Sequence, residues 1–310
     1  MPHGSALQLD GDSRVKTAMT SASPASAAIE SEERFSPQLI EDVREHYDTL
    51  SPLYRAFWGE HLHHGFWRDN ESPQEAQENL VKELAARARV TEGERVLDVG
   101  CGLGGSAMFL AREYGVMVRG ISLSAKQVSA ARDQARRRGL LGRVNFDVQD
   151  AHHLDRDPGI YDVIWIVECS EHLFGKRAFI RECARHLAPG GRLAICAWLL
   201  GEHLDDEQEK LVEAVRLGML CPSFGTLADY AKWLLDAGLE VESAEDVTPH
   251  VARTWSVSRP LLDSPLVKTM LAIGNDKLSA FADSFAAIDE AYRCRAMGYG
   301  MLVASRPLSR

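Results

Sequence analysis

The sequence predicts an α/β fold: a doubly wound, mostly parallel seven-stranded sheet preceded by an N-terminal helical lid. Three observations predict it. From residue 95 onward, short β-type runs alternate with segments of helical periodicity, the pattern of strands joined by crossover helices. Those runs are largely apolar, as strands covered on both faces must be. The first of them opens through a glycine-rich turn, Gly100–Gly105, into a helical segment, and glycine permits the backbone to turn that sharply.

The elements follow in order. Residues 1–35 are rich in Ser and Ala with few large apolar side chains, which predicts a disordered tail without a secretory signal; Arg14 and Lys16 leave a transit-peptide reading open. Residues 36–72 form the expected lid. Leu39, Ile40, Val43, Tyr47, Leu50, Tyr54, Phe57 and Trp58 recur at helical spacing, and Ser51-Pro52 interrupts them, which predicts two short helices. His61–Trp67 then reads as a loop. Ser72-Pro73-Gln74-Glu75 is a capping box with proline at the first helical position, so a helix should run to about Arg89. Residues 73–310 make up the main domain. Its strands are expected at Arg95–Val99, Val116–Ile121, Arg143–Val148, Tyr161–Val167, Arg192–Ala197, Leu239–Val247 and Gly298–Ser305, with helices near 105–114, 125–138, 175–187 and 226–237. Segments near 200–225 and 249–290 break the alternation and are expected to be a lid or substrate-side insertions. The acidic run Asp205–Glu207 with Glu209 marks a solvated helix start, and Arg136–Arg138 an exposed helix end.

Composition narrows the function. Of 310 residues 45% are apolar and 26% charged, ordinary for one globular domain with extensions. A formal net charge of −10 argues against nucleic acid or an anionic membrane as partner, since both need a basic face. No apolar run approaches the roughly 20 residues of a membrane helix. Six scattered cysteines without a C-x-x-C pair predict a reducing, cytoplasmic setting and no structural zinc.

The turn after the first strand, Leu97-Asp98-Val99-Gly100-Cys101-Gly102-Leu103-Gly104-Gly105, contains G-x-G-x-x-G, a weak dinucleotide signature by itself. A dinucleotide would place a doubly negative pyrophosphate on this loop, uncomfortably close to Asp98. S-adenosyl-L-methionine has no phosphate and carries an ammonium and a sulfonium, which an acid at the strand tip suits. Asp98, Gly100, Gly102 and Gly104 are therefore expected to hold its methionine portion. The acid expected on the next strand tip to hold the ribose is missing. Ser122 and Gln127 stand there and can hydrogen-bond a diol, although Ser124 and Gln127 also have capping-box spacing. Asp150, followed by Ala151, ends the third strand and is the expected adenine contact.

Taken together, His61-Leu62-His63-His64-Gly65-Phe66, the glycine loop, Gly120–Ser124 with Gln127, Glu168-Cys169-Ser170-Glu171-His172 and Leu187-Ala188-Pro189-Gly190-Gly191 resemble the class I S-adenosylmethionine-dependent methyltransferases. The likeness is narrower to their γ-tocopherol methyltransferase-like small-molecule group. It covers residues 40–200 well and the C-terminal third weakly. It implies a Rossmann-like domain, a neutral Ser/Gln ribose site, an N-terminal lid, and a His61–Phe66 loop whose His64 faces the cofactor.

Methyl transfer is an in-line displacement, so the protein must align donor and acceptor and, for some acceptors, remove a proton. His172 follows the fourth strand at the carboxyl edge of the sheet and is the candidate general base. Glu168 is the candidate to orient it or to contact the acceptor. The resemblance implies that Tyr47, Tyr54 and Trp58 of the lid line the donor and acceptor pocket, with Tyr54 the candidate catalytic contact. His61, His63 and His64 have no Cys or carboxylate at ligand spacing beside them, so no metal is expected. The expected activity is methylation of a small aromatic or apolar metabolite on C, N or O. A cyclopropane-type synthase on lipid chains and a catalytically silent S-adenosylmethionine-binding protein are the rivals.

Overall fold

A computed structural model describes residues 36–156, 159–262 and 276–308, with the side chains of 50, 52–58, 259–262 and 276–282 excepted. The residue 1–35 tail and the Tyr54 and Trp58 side chains therefore lie outside what is described. Seven strands form one sheet: β1 (Arg95–Val99), β2 (Met117–Ser122), β3 (Val144–Val148), β4 (Tyr161–Val167), β5 (Leu187–Leu200), β6 (Glu240–Asp246) and β7 (Met297–Ser305). Their order is β3-β2-β1-β4-β5-β7-β6. Neighbours pair in parallel from β3 to β5, and β7 runs antiparallel to both β5 and β6. The chain reverses its direction of travel across the sheet between β1 and β4, and a crevice opens there at the carboxyl ends of the strands.

The helices are α1 (Pro37–Trp58), α2 (Pro73–Arg87), α3 (Gly105–Glu113), α4 (Ala125–Arg137), α5 (Lys176–Arg185), α6 (Asp206–Gly218), α7 (Leu227–Asp236), α8 (Thr248–Val251), α9 (Arg253–Leu262) and α10 (Asp276–Arg293). One core cluster, with Leu80, Leu84, Leu110 and Phe146, fills one face of the sheet. A second, with Ile164, Ile180, Leu193 and Leu234, fills the other. The capping boxes at Ser72 and Asp205 form as their sequences require, and Arg136–Arg138 end α4 in the exposed positions expected.

Two elements differ from expectation. Residues 37–58 are one helix, not two. Pro52 leaves the Asp48 carbonyl without its usual helical donor, and Lys126 Nζ, 3.4 Å away on α4, supplies one. The Ser51 hydroxyl bonds back to the Tyr47 carbonyl, so the helix tolerates the proline through side chains that no local pattern reveals. Strand β5 begins at Leu187, five residues early, because the Pro189-Gly190-Gly191 kink pairs with the chain after β7: Gly190 and Gly191 exchange backbone bonds with Arg306 at 2.9 and 2.8 Å.

The irregular segments lie together at the carboxyl end of the sheet. α6 packs on α10 and α10 on α9. Thr254 of α9 accepts bonds from the Gly65 N–H (3.1 Å) and Trp67 Nε1 (3.0 Å), which pins the loop after α1.

Candidate active site

Two adjoining cavities occupy this end. The first, about 980 Å³ and open to solvent, is lined by Asp98, Gly100, Gly102, Ser122, Gln127, Asp150, Ala151 and Glu168, and by Tyr47 of α1, among others. The second, about 670 Å³, is walled by Trp198, Met219, Cys221, Trp255 and Phe285 with His46, His64, Glu171 and Thr254. Tyr47, Leu62, His63, Glu168 and His172 line both.

The first cavity is built from strand tips. Asp98 ends on β1 and is almost wholly buried, and its Oδ2 has no hydrogen-bond partner among the described residues. Burial pushes its carboxyl up to about 7 against one favourable bond from the Ala107 N–H. A buried acid with an oxygen left over is what an ammonium group would complete. Gly100 (φ +77°) brings the loop against Cys169: a Cβ there would lie 2.4 Å from its Sγ. Of the glycines expected to contact the donor, Gly104 does not line the cavity. It turns at φ +80° on the opposite side of the loop, where a Cβ would strike the Phe146 ring at 2.6 Å, so its task is to pass the chain over β3. Gly105 takes its place on the wall, with the Glu60 carbonyl lying where its side chain would be.

At the tip of β2, Ser122 Oγ donates to Gln127 Oε1 at 2.9 Å, and Gln127 Nε2 donates to Ser51 Oγ at 3.1 Å. The Gln127 N–H is capped by Ser124 at 3.1 Å, but its side chain does not close a capping box. That amide is thus free of the helix-start role its spacing suggested, and it faces the cavity. Asp150 Oδ1 accepts from the backbone (2.9 Å) and Nδ1 (2.7 Å) of His152, whose Nε2 accepts the Phe174 N–H at 3.1 Å. The His152 ring therefore carries its proton on Nδ1 and ties the post-β3 loop to the post-β4 loop. Sequence reasoning gave it no role.

Where the cavities meet, His172 Nε2 lies 2.9 Å from the Tyr47 hydroxyl. His172 Nδ1 is 3.3 Å from the Leu220 carbonyl, which only accepts, so Nδ1 bears the proton and Nε2 accepts from Tyr47. Leu220 holds that carbonyl in place from a left-handed backbone conformation, φ +55°, unusual for a branched residue. Burial, with a small repulsion from Lys176, lowers His172 to about 4 despite the Leu220 bond and Glu168. It is a neutral imidazole with one lone pair directed at a tyrosine.

The two carboxyl groups here are driven apart. Burial raises Glu171 to about 8 although the Trp198 N–H donates to it. Burial also works to raise Glu168, but His64, by charge and by hydrogen bond, and His63 outweigh it and hold Glu168 at about 2. His64 was expected at the cofactor. It lies instead in the wall of the second cavity, 2% exposed, stacked on Tyr292 at 5.7 Å and bonded to Glu168.

An acid with an open oxygen at one strand tip, a neutral Ser/Gln pair at the next, an acid at the third, and an adjoining aromatic cavity on a doubly wound sheet define a class I S-adenosylmethionine-dependent methyltransferase. Residues 36–295 match the family described as mycolic acid cyclopropane synthetase, and the chain belongs to that family. It is 34% identical over 270 residues to the 27-O-demethylrifamycin SV methyltransferase of Amycolatopsis mediterranei (strain S699), covering 86% of this chain and 97% of that protein. It is 30% identical over 290 residues to the chloroplastic tocopherol O-methyltransferase of Arabidopsis thaliana, covering 87% and 83%. Among solved structures, the (4+2)-cyclase SpnF superposes with TM-score 0.76 at 28% identity, over 86% of this chain and 96% of that one. The mycolic acid cyclopropane synthase CmaA1 superposes with TM-score 0.78 over 88% and 99%, and at 17% identity shows the fold alone.

Proposed function

We propose that the chain methylates a hydroxyl or amine of a small, apolar, aromatic-sized acceptor held in the second cavity, with the donor in the first. The observation that carries this reading is the Tyr47–His172 pair at the junction, a hydrogen-bonded tyrosine and neutral imidazole that line both cavities. Asp98 would hold the donor's ammonium, Ser122 and Gln127 its ribose, and Asp150 with Ala151 its adenine. Gly100, Gly102 and Gly105 would let the backbone approach. When bound, S-adenosylmethionine supplies an electrophilic methyl carbon whose bond to sulfur breaks as the acceptor heteroatom bonds to it. The acceptor proton then passes to His172 Nε2, directly or through the Tyr47 hydroxyl, and on to water. Trp198, Trp255 and Phe285 exclude water and supply broad faces for an apolar ring. α1 brings Tyr47 to this junction and acts as the lid. Free cysteines throughout favour a reducing, cytoplasmic setting, and among the described residues no helix is long and apolar enough to cross a membrane.

The test uses purified protein, a donor with a trideuterated methyl group, and a panel of phenols, macrocyclic alcohols, amines and unsaturated phospholipids. A product that keeps all three deuterons supports methyl transfer. A lipid product that keeps two favours the cyclopropane chemistry in the family's name. Binding of S-adenosylhomocysteine with no product on any acceptor favours a silent or non-methylating relative.

A further inference from the structure

Glu168 is surrounded by donors. Its Oε1 accepts from the His64 backbone N–H at 2.7 Å, from His64 Nδ1 at 3.0 Å and from the Tyr299 hydroxyl at 2.7 Å. Its Oε2 accepts from Trp198 Nε1 at 3.0 Å. These four bonds tie the end of β4 to β5, to β7 and to the loop after α1. The backbone of Glu168 sits at φ +51°, a conformation that L-residues keep only where the surroundings hold them. The carboxyl is 10% exposed and His64 2%.

The hold on His64 extends along the loop. His63 Nδ1 donates to the His64 carbonyl at 2.8 Å, so its Nε2 accepts from His61 Nδ1 at 3.1 Å and is 3.4 Å from Ser106 Oγ. Each tautomer is dictated by a neighbour that can only accept. His61 and His63 line the first cavity, and the Glu60 carbonyl beside them rests on Gly105.

We infer that Glu168 is a positioning residue for the donor: it clamps the 60–64 loop to the sheet and so builds one wall of the first cavity, and it moves no proton in the reaction. This rests on placing the donor in that cavity.

Calorimetry with S-adenosylhomocysteine, together with the pH profile of kcat on an accepted substrate, tests it. In Glu168→Gln the amide NH₂ must face either the His64 and Tyr299 donors or the Trp198 N–H. Affinity should fall about tenfold or more, as expected when bonds to a charged acceptor are lost, while the pH profile keeps its shape. Adding Trp198→Phe removes the donor on one side. The double variant should then bind within about threefold of Trp198→Phe alone, a coupling that neighbouring residues show and independent ones do not. His64→Ala, which leaves the carboxylate in place, should also weaken binding and leave the profile unmoved; it decides the matter should Glu168→Gln fail to fold. Unchanged affinity in these variants, or a shifted kcat profile, overturns the inference. Wild-type protein that does not bind S-adenosylhomocysteine overturns the cavity assignment instead.

Discussion

With the donor placed in the first cavity, Asp98 is the residue on which its binding should turn. Its carboxyl rises to about 7 through burial, so it must ionise before it can hold an ammonium. Affinity for S-adenosylhomocysteine should fall as pH drops through about 7, and Asp98→Asn should abolish both the binding and that pH dependence; isothermal titration across pH 5.5–8.5 reads both. In the proposed mechanism Tyr47 and His172, 2.9 Å apart, would carry the proton. For a hydroxyl acceptor His172→Ala should lower kcat by about 10²–10⁴, the usual range for general-base loss. Tyr47→Phe should lower it less, with donor affinity retained in both. Equal kcat in wild type and His172→Ala would exclude the imidazole as base. Asp98 is legible in the sequence as a candidate because it stands just before the glycine loop at a strand tip. Glu168 stands out in the sequence as a candidate to orient His172, but its four hydrogen bonds to His64, Tyr299 and Trp198 are not legible there, because those donors come from elements far apart in the chain.

At the scale of elements, α1 is docked on the wall of the first cavity and not merely above it. Ser51 accepts from Gln127, and Asp48 bonds Ser124 and Lys126, all at the start of α4. Since Gln127 also contacts Ser122, loosening α1 should disturb the ribose site. Ser51→Ala should therefore raise the KM for the donor several-fold and shift thermal stability little, because one neutral hydrogen bond contributes about 1 kcal/mol. An unchanged KM would mean that α1 touches the acceptor side only. The glycine loop responds differently. Gly100→Ala would force a Cβ to within 2.4 Å of Cys169 Sγ at φ +77°, so a clear loss of melting temperature should accompany loss of donor binding. The Ser51-Pro52 break was misread for a simple reason. Proline's missing N–H is visible in sequence, whereas the lysine that satisfies the freed carbonyl lies 78 residues away.

For the whole molecule, burial acts on acids and histidines in opposite directions. Asp98 and Glu171 rise to about 7 and about 8, so their contribution to stability is full below the ordinary carboxylate range and is lost as pH rises through those values. His46 and His172 fall to about 4, and His61 and His63 are lowered too, so their contribution is full above 6.5 and is lost as pH falls toward 4. The ligand-free protein should be most stable at about pH 6–7. Saturating S-adenosylhomocysteine should flatten the alkaline fall, because its ammonium favours the ionised Asp98. Melting curves across pH, with and without ligand, check both statements, and an alkaline fall that the ligand leaves untouched would count against Asp98 as its partner. The sequence by itself determined the sheet, the strand tips that carry Asp98, Ser122 and Asp150, and the donor's chemical class, because strand periodicity, glycine turns and a charge beside a loop are local properties. The tertiary structure alone decided that Tyr47 meets His172, that donors from His64, Tyr299 and Trp198 surround Glu168, and that Trp198, Trp255 and Phe285 share a wall. Those contacts join β4, β5, β7, α1, α9 and α10, and their chemistry depends on burial and distance that arise only when the chain has packed.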